Sequence, residues 1–385
     1  MRRRDDLAFP MVEYDRRLAD LRDRMATAGI DAMLTTTPEN ICYLTGFDSP
    51  GHYWFQGLVV PLDGEPFGYS RLLETSGVEA DTWIERNIGY HDSDDIITGL
   101  AGQLLADGYG DATLAIEREC WFFPATFQER LFNAMPDTTF VDASGIVEAG
   151  RLIKSTYEID LIKRAAAMGD RAIQAGLSAL AVGASENDVA AKIMSELIIA
   201  GSHWPAIVPF VASGERGAIG HATWKGRELR GGDTVFLELA GCLHRYHAPQ
   251  MRTAVMGKAD PEICEAFNVV SESFDVAMKA IRPGVSAGEV DRVCRAYIAG
   301  AGFGENQGSR TAYSVGISLP PDWGEGNILS MKPGEGTLLA QNMTFHLLPW
   351  VQIPGKGGVG CTETIRVTAD GAERLTCSPR VLYEA

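Results

Sequence analysis

No apolar run in this 385-residue chain approaches the roughly 20 residues needed to cross a bilayer. The opening MRRRDDLAFP is basic but lacks the apolar stretch of a signal peptide. Positive charge is scarce: 34 Lys and Arg stand against 51 Asp and Glu, a formal net charge of −17. An acidic surface of that size argues against nucleic acid or a membrane as partner, and leaves a zwitterionic or cationic small molecule free to approach. The seven cysteines, Cys42, Cys120, Cys242, Cys264, Cys294, Cys361 and Cys377, are scattered and include no C-x-x-C pair. They form neither a disulfide framework nor a zinc motif and suit a reducing compartment, so the cytoplasm is the expected location. What is present is ordinary for a globular protein with a substantial core. Apolar residues make up 45% and charged residues 22%, over a length that suggests two domains.

Helical and strand patterns alternate through the first part of the chain. Leu18, Leu21 and Met25 recur at helical spacing between Tyr14 and Gly29. IDAMLTTTPENICYLTGF reads as an apolar strand, a turn at Pro38-Glu39-Asn40 and a second apolar stretch. FQGLVVPLDGEPFGYSR reads as a hairpin about Asp63-Gly64. ATLAIERE and TTFVDAS are further strands around a helical stretch, which completes the pattern of an α/β domain. After Arg151 the pattern changes to a long helix with few breakers, with Ser155 and Glu158 spaced as a capping box. This predicts an N-terminal domain over 1–154 and a second domain over 155–385.

The second part contains a repeat. GASENDVAAKIMSELIIAGS from Gly183 resembles GVSAGEVDRVCRAYIAGAGF from Gly284; each follows a long helix and opens with G-x-S, making Ser185 and Ser286 the expected N-caps. GDTVFLELAGCLHRYHAPQMRTAVMG and NMTFHLLPWVQ…GCTETIRVTADG read as antiparallel strands. The expected class is α+β with a pseudo-two-fold second domain, strands inside and helices outside.

Groups able to carry chemistry cluster in those strands. Glu238 stands alone in VFLELAG; buried there, its pKa rises unless a cation or donors compensate. In HRYHAPQMRT, alternation sends His244 and Tyr246 to one face and His247 to the other, a weak pattern for a metal. His221 in GHATW and His346 in MTFHLLPW are single histidines, a type more often structural than catalytic, and His346 is the one basic ring in an apolar strand. Glu363 lies beside Thr362 and Thr364 in GCTETIRV. Each has an ordinary structural reading when taken singly. On facing strands of one duplicated domain they make an acid/base constellation.

NICYLTGF, RLIKSTYEIDLIKRAA and the duplicated plan resemble the creatinase/aminopeptidase-P superfamily, in which a creatinase-like N-terminal domain precedes a pita-bread domain. The likeness covers nearly the whole chain. Peptidases of that superfamily bind two metals through two Asp, one His and two Glu. The aligned positions here are Glu238, Pro249, Val315, Leu348 and Thr362, and the side chains of proline, valine and leucine cannot coordinate a divalent ion. The resemblance is therefore to metal-free members. PAIVPFVASG, HATW, ELAGCLHRYHAPQMRT, SRTAYSVGISLPPDWGE, MTFHLLP and TETIRV are similar to the ectoine hydrolases, which open a cyclic amidine to an N-acetyl diamino acid. One stretch departs: a Trp-Gly-Leu-Glu-Ile-Thr-Glu run is replaced by GKGGVGCTET, with Gly360 for the first Glu and Glu363 at the second.

The resemblance implies a hydrolase of C–N bonds that needs no metal or other cofactor. Glu238 would attack the amidine or amide carbon or activate the water that does, and His221 would protonate the departing nitrogen. His346 and Glu363 would orient this pair or hold a cationic substrate. Tyr246, His247, Tyr313 and Trp323 would wall the pocket, Trp323 through a cation–π contact. The resemblance also implies a homodimer in which the first domain of one subunit covers the site of the other. That places Trp54, in His52-Tyr53-Trp54-Phe55, on a lid loop, with a core hairpin as the alternative. Two rival readings are a Xaa-Pro dipeptidase or aminopeptidase with an altered metal site, and a non-catalytic solute-binding relative.

Overall fold

The structure, a computed structural model, describes residues 2–308 and 310–385. The chain divides into two compact units, one ending at Arg151 and the other spanning Leu152–Ala385. That division falls three residues before the boundary placed at 154/155 from the sequence.

The first unit is built on a six-stranded mixed sheet in the order β4-β3-β2-β1-β5-β6. Its strands are β1 (Ala32–Thr35), β2 (Gly57–Pro61), β3 (Phe67–Arg71), β4 (Arg86–Tyr90), β5 (Thr113–Ile116) and β6 (Thr139–Asp142). Its helices are α1 (Met11–Ala28), α2 (Pro38–Thr45), α3 (Thr75–Asp81), α4 (Ile96–Ala106), α5 (Ala125–Ala134) and α6 (Ile146–Leu152). Strands β2 and β3 form the expected antiparallel hairpin. The Pro38-Glu39-Asn40 segment is a correction: it opens α2 and does not form a turn. Proline fits the first helical position because its missing N–H has no partner there in any case.

The second unit opens with α7 (Thr156–Ser178), where Ser155 and Glu158 make both bonds of a capping box. There follow α8 (Glu186–Ile199), β7 (Phe210–Ser213), β8 (Thr234–Leu243), β9 (Tyr246–Val255), α9 (Pro261–Ala280) and α10 (Ala287–Gly300). The remaining strands are β10 (Ala312–Ser314), β11 (Ser330–Met331), β12 (Thr344–Leu347), β13 (Trp350–Ile353), β14 (Gly357–Gly360), β15 (Glu363–Val367), β16 (Ala372–Arg374) and β17 (Tyr383–Glu384). Two sheets, β17-β9-β8-β7 and β11-β10-β12-β15-β16, face the middle, with the β13-β14 hairpin beside them.

The duplication is visible in the hydrogen bonds. Gly183 N–H donates to Leu229 O and Leu229 N–H to Ala184 O; one repeat later Gly284 N–H donates to Leu339 O and Leu339 N–H to Val285 O. Ser185 and Ser286 cap their helices as expected. Outward-facing Leu237 and Leu239 pack on Ile173, Leu177 and Ile193, while Phe345 and Leu347 pack with Phe274, Val290 and Ile365. The opposite faces of these strands turn inward.

Candidate active site

Strand alternation sets the inner wall. Phe236, Glu238 and Ala240 share one face of β8, and Phe210 and Met251 lie directly opposite Glu238 in register. Together with Tyr313, Val315 and Trp323, the apolar members of this face close a cluster. Glu238 is only 8% exposed within it. Among the described residues its carboxylate accepts no hydrogen bond. His346 Nδ1 lies 3.9 Å from Glu238 Oε1. Burial pushes the Glu238 carboxyl up to about 8, and the negative charge of Asp322 adds to the push.

His346, on β12, belongs to a chain of polar contacts. Trp323 Nε1–H donates to the Tyr313 hydroxyl at 2.7 Å, and that oxygen lies 2.8 Å from His346 Nδ1. His346 Nε2 lies 2.5 Å from Thr362 Oγ1. An indole can only donate, so the Tyr313 hydroxyl is left to donate to Nδ1, and Nε2–H to donate to Thr362. The neutral imidazole this requires is favoured: burial lowers His346 to about 3, helped by the charges of Arg310 and Arg252. Burial also carries Tyr313 well above the ordinary phenol range, with Glu238 and Asp322 adding to it.

His221 is exposed, its ring stacked on Phe210 with centroids 5.4 Å apart. Phe210 in turn packs on Trp323 at 5.2 Å. The His221 backbone has φ 63°, a left-handed conformation uncommon for a residue with a side chain. Strain of this kind concentrates at functional positions.

Five residues singled out from sequence therefore come together: Glu238, His221, His346, Tyr313 and Trp323. Three others in the second unit, Glu363, Tyr246 and His247, do not join them. Glu363 pairs with Leu347 and so faces away from His346. It accepts from Arg252 Nη2 at 2.8 Å and from the Thr376 hydroxyl, a fully buried ion pair that ties β15 to β9. Tyr246 points to the helix side, its hydroxyl donating to Glu158 at 2.8 Å. His247 is occupied by backbone: Nε2 accepts from Ala206 N–H at 3.0 Å, and Nδ1 lies 2.8 Å from Arg245 O. Burial lowers it to about 3. Trp54 belongs to the first unit, where it follows a 3-10 turn and lies under the Arg71 guanidinium, 4.4 Å from its ring. Phe210, Phe236 and the partner role of Thr362 were not singled out from sequence. Apolar residues in apolar strands carry no signal of which face they line.

The donor set does not fit the metal centre of the peptidases. Of Glu238, Pro249, Val315, Leu348 and Thr362, only the first and last offer a side-chain oxygen. Among the described residues no group of three or more His, Cys, Asp and Glu is arranged to hold a metal ion. A cleft of about 500 Å³ elsewhere on the unit, lined by Arg216, Arg227, Asp233, Asp260 and Lys356, does not include Glu238. Its charges are matched internally, Arg227 by Asp233 and Lys356 by Asp260.

Comparison with known proteins places this architecture. The creatinase/prolidase N-terminal domain matches residues 17–153, and metallopeptidase family M24 matches residues 160–369. The chain belongs to family M24 and is a hydrolase with the pita-bread fold. It is 31% identical to the ectoine hydrolase of Halomonas elongata over 402 aligned positions, covering 98% of both proteins. The prolidase of Pyrococcus horikoshii superimposes with a TM-score of 0.84 at 25% identity, over 95% of this chain and 99% of that one. The dipeptidase PepE of Mycobacterium ulcerans does so with 0.83 at 26% identity, over 97% and 98%. Among the described residues no helix is long and apolar enough to cross a membrane.

Proposed function

We propose that this protein is a metal-independent hydrolase that opens a C–N bond of a small cyclic amidine, ectoine in the first instance, to give an N-acyl diamino acid. One observation carries the reading: Glu238 is buried among aromatic rings and, among the described residues, has no hydrogen-bond donor or cation paired with its carboxylate. A carboxylate so placed is costly unless a ligand completes it. An amidinium supplies a delocalised cation, with N–H donors for the carboxylate and a flat face for Trp323 and Phe210. Its binding opposes the effect of burial and returns Glu238 to the charged form.

Glu238 then acts on the amidinium carbon, by direct attack or by taking a proton from the water that attacks. Water adds overall, one ring C–N bond breaks, and the departing nitrogen takes its proton from His221. An amide and a free amine remain. Tyr313, held between Trp323 and neutral His346, presents a fixed hydroxyl beside Glu238. The protein works in this reading as a cytoplasmic homodimer with no cofactor. The similarity to the Halomonas elongata enzyme supports the substrate, and the missing metal donors support this chemistry over peptide hydrolysis. Glu238→Ala is expected to abolish ectoine turnover while the purified variant keeps its circular-dichroism spectrum. Retained turnover in a folded variant removes Glu238 from the mechanism.

A further inference from the structure

The second unit pairs its partly buried arginines with carboxylates: Arg216 with Glu186, Arg227 with Asp233, Arg295 with Asp291, Arg366 with Glu373. Arg310 breaks this habit. It is half-buried, yet among the described residues it meets no carboxylate. Its guanidinium lies over the Tyr313 ring, Cζ 4.3 Å from the centroid, and its one hydrogen bond is from Nη1 to Ser330 Oγ at a long 3.3 Å. A guanidinium has five N–H donors, so among the described residues most of them face no protein acceptor. Gly326 makes room for it, since a Cβ there would strike Nη1.

Its charge reaches the site. Arg310 is the cation that acts most strongly on His346, ahead of Arg252, and Tyr313 feels both Arg310 and Glu238. Yet Glu238 and Arg310 form no ion pair with each other; Asp322, the other acid named beside Tyr313, is exposed and accepts from Gly324 N–H at 3.1 Å. Among the described residues Glu238 and Arg310 are thus each short of a paired counter-charge. A simple cation would complete only Glu238. A ligand with its positive and negative charges on different atoms would complete both.

We infer that Arg310 binds a carboxylate carried by the substrate and selects carboxylated cyclic amidines over the bare ring. This rests on the amidine reading above and narrows its substrate class. Arginine suits the task because its planar fork matches a carboxylate with two parallel hydrogen bonds.

The test compares kcat/KM for ectoine with that for 2-methyl-1,4,5,6-tetrahydropyrimidine, the same ring without its carboxylate, in wild type, Arg310→Met and Arg310→Lys. Wild type is expected to prefer ectoine. Arg310→Met is expected to lose about 10- to 100-fold of that preference, chiefly through KM, the range for a hydrogen bond to a charged group. Arg310→Lys, which restores the charge without the fork, should recover part of it, and serves alone if the methionine variant does not fold. An unchanged preference in the variants, or a wild type that takes both rings equally, overturns the role of Arg310 and leaves amidine hydrolysis standing. A wild type that hydrolyses neither ring overturns the amidine reading and this inference with it.

Discussion

Glu238 combines two properties on which its proposed role rests: it is buried, and among the described residues its carboxylate accepts no hydrogen bond. Its carboxyl titrates near 8 when folded, against about 4.5 for an unfolded glutamate. The folded state therefore holds a proton that the unfolded state releases between those values, and stability falls as pH rises through that window. The loss is complete above about pH 8 and amounts to at most about 5 kcal/mol. Glu238→Gln removes the titration. Its melting midpoint is expected to exceed that of wild type by a margin that grows from pH 5 to pH 8 and then levels off, while activity disappears. A margin independent of pH would show that the carboxyl is not raised. Glu238 and His346 were legible from sequence because a single polar residue interrupts an apolar strand. Glu363 interrupts its strand in the same way but pairs with Arg252. Its partner Arg252 lies 111 residues away, and no local pattern reveals that the two meet on the outer face.

At the scale of elements, the site depends on how closely α7 lies on the β8–β9 hairpin. Gly241 faces Gly169 of α7, and a Cβ on Gly241 would collide with the carbonyl oxygen of Ala165. Backbone on both sides leaves nothing flexible to yield. Gly241→Ala is expected to cost about 3 kcal/mol or more, read as a lower urea midpoint, because β8 must shift and Glu238 shifts with it. A cost below about 0.5 kcal/mol would show that the helix is not held against the strand there. The helices of the second unit were legible from their caps, since Ser155, Ser185 and Ser286 act locally. The opening of α2 was not: Pro38 followed by Glu39 and Asn40 suits a turn and a helix start equally, and only packing of Ile41, Tyr43 and Leu44 into the first unit decides between them.

At the scale of the whole chain, the creatinase/prolidase and M24 domains supply the architecture, and in the proposed reading the five residues at the aligned ligand positions redirect it. The alternation of helices with strands, and the repeat of Gly183 at Gly284, made this plan readable in advance because each signal is local or periodic. The proposed homodimer is what the resemblance to the creatinase/aminopeptidase-P superfamily implies, and it would cover apolar surface of the first unit. Tyr53, Leu73 and Trp121 are 65%, 68% and 78% exposed, a large apolar offering for the first unit to leave in water. Light scattering on the purified protein is expected to give twice the 41.7 kDa chain mass; a mass equal to the single chain excludes the dimer. The central claim is hydrolysis of an amidine without a metal. Its most direct test is mass spectrometry of ectoine incubated with protein stripped by a strong chelator and shown to be metal-free, with Glu238→Gln alongside. The account predicts a product heavier than ectoine by one water in the stripped wild type and none in the variant. Activity that vanishes on stripping and returns with added manganese, zinc or iron would contradict it.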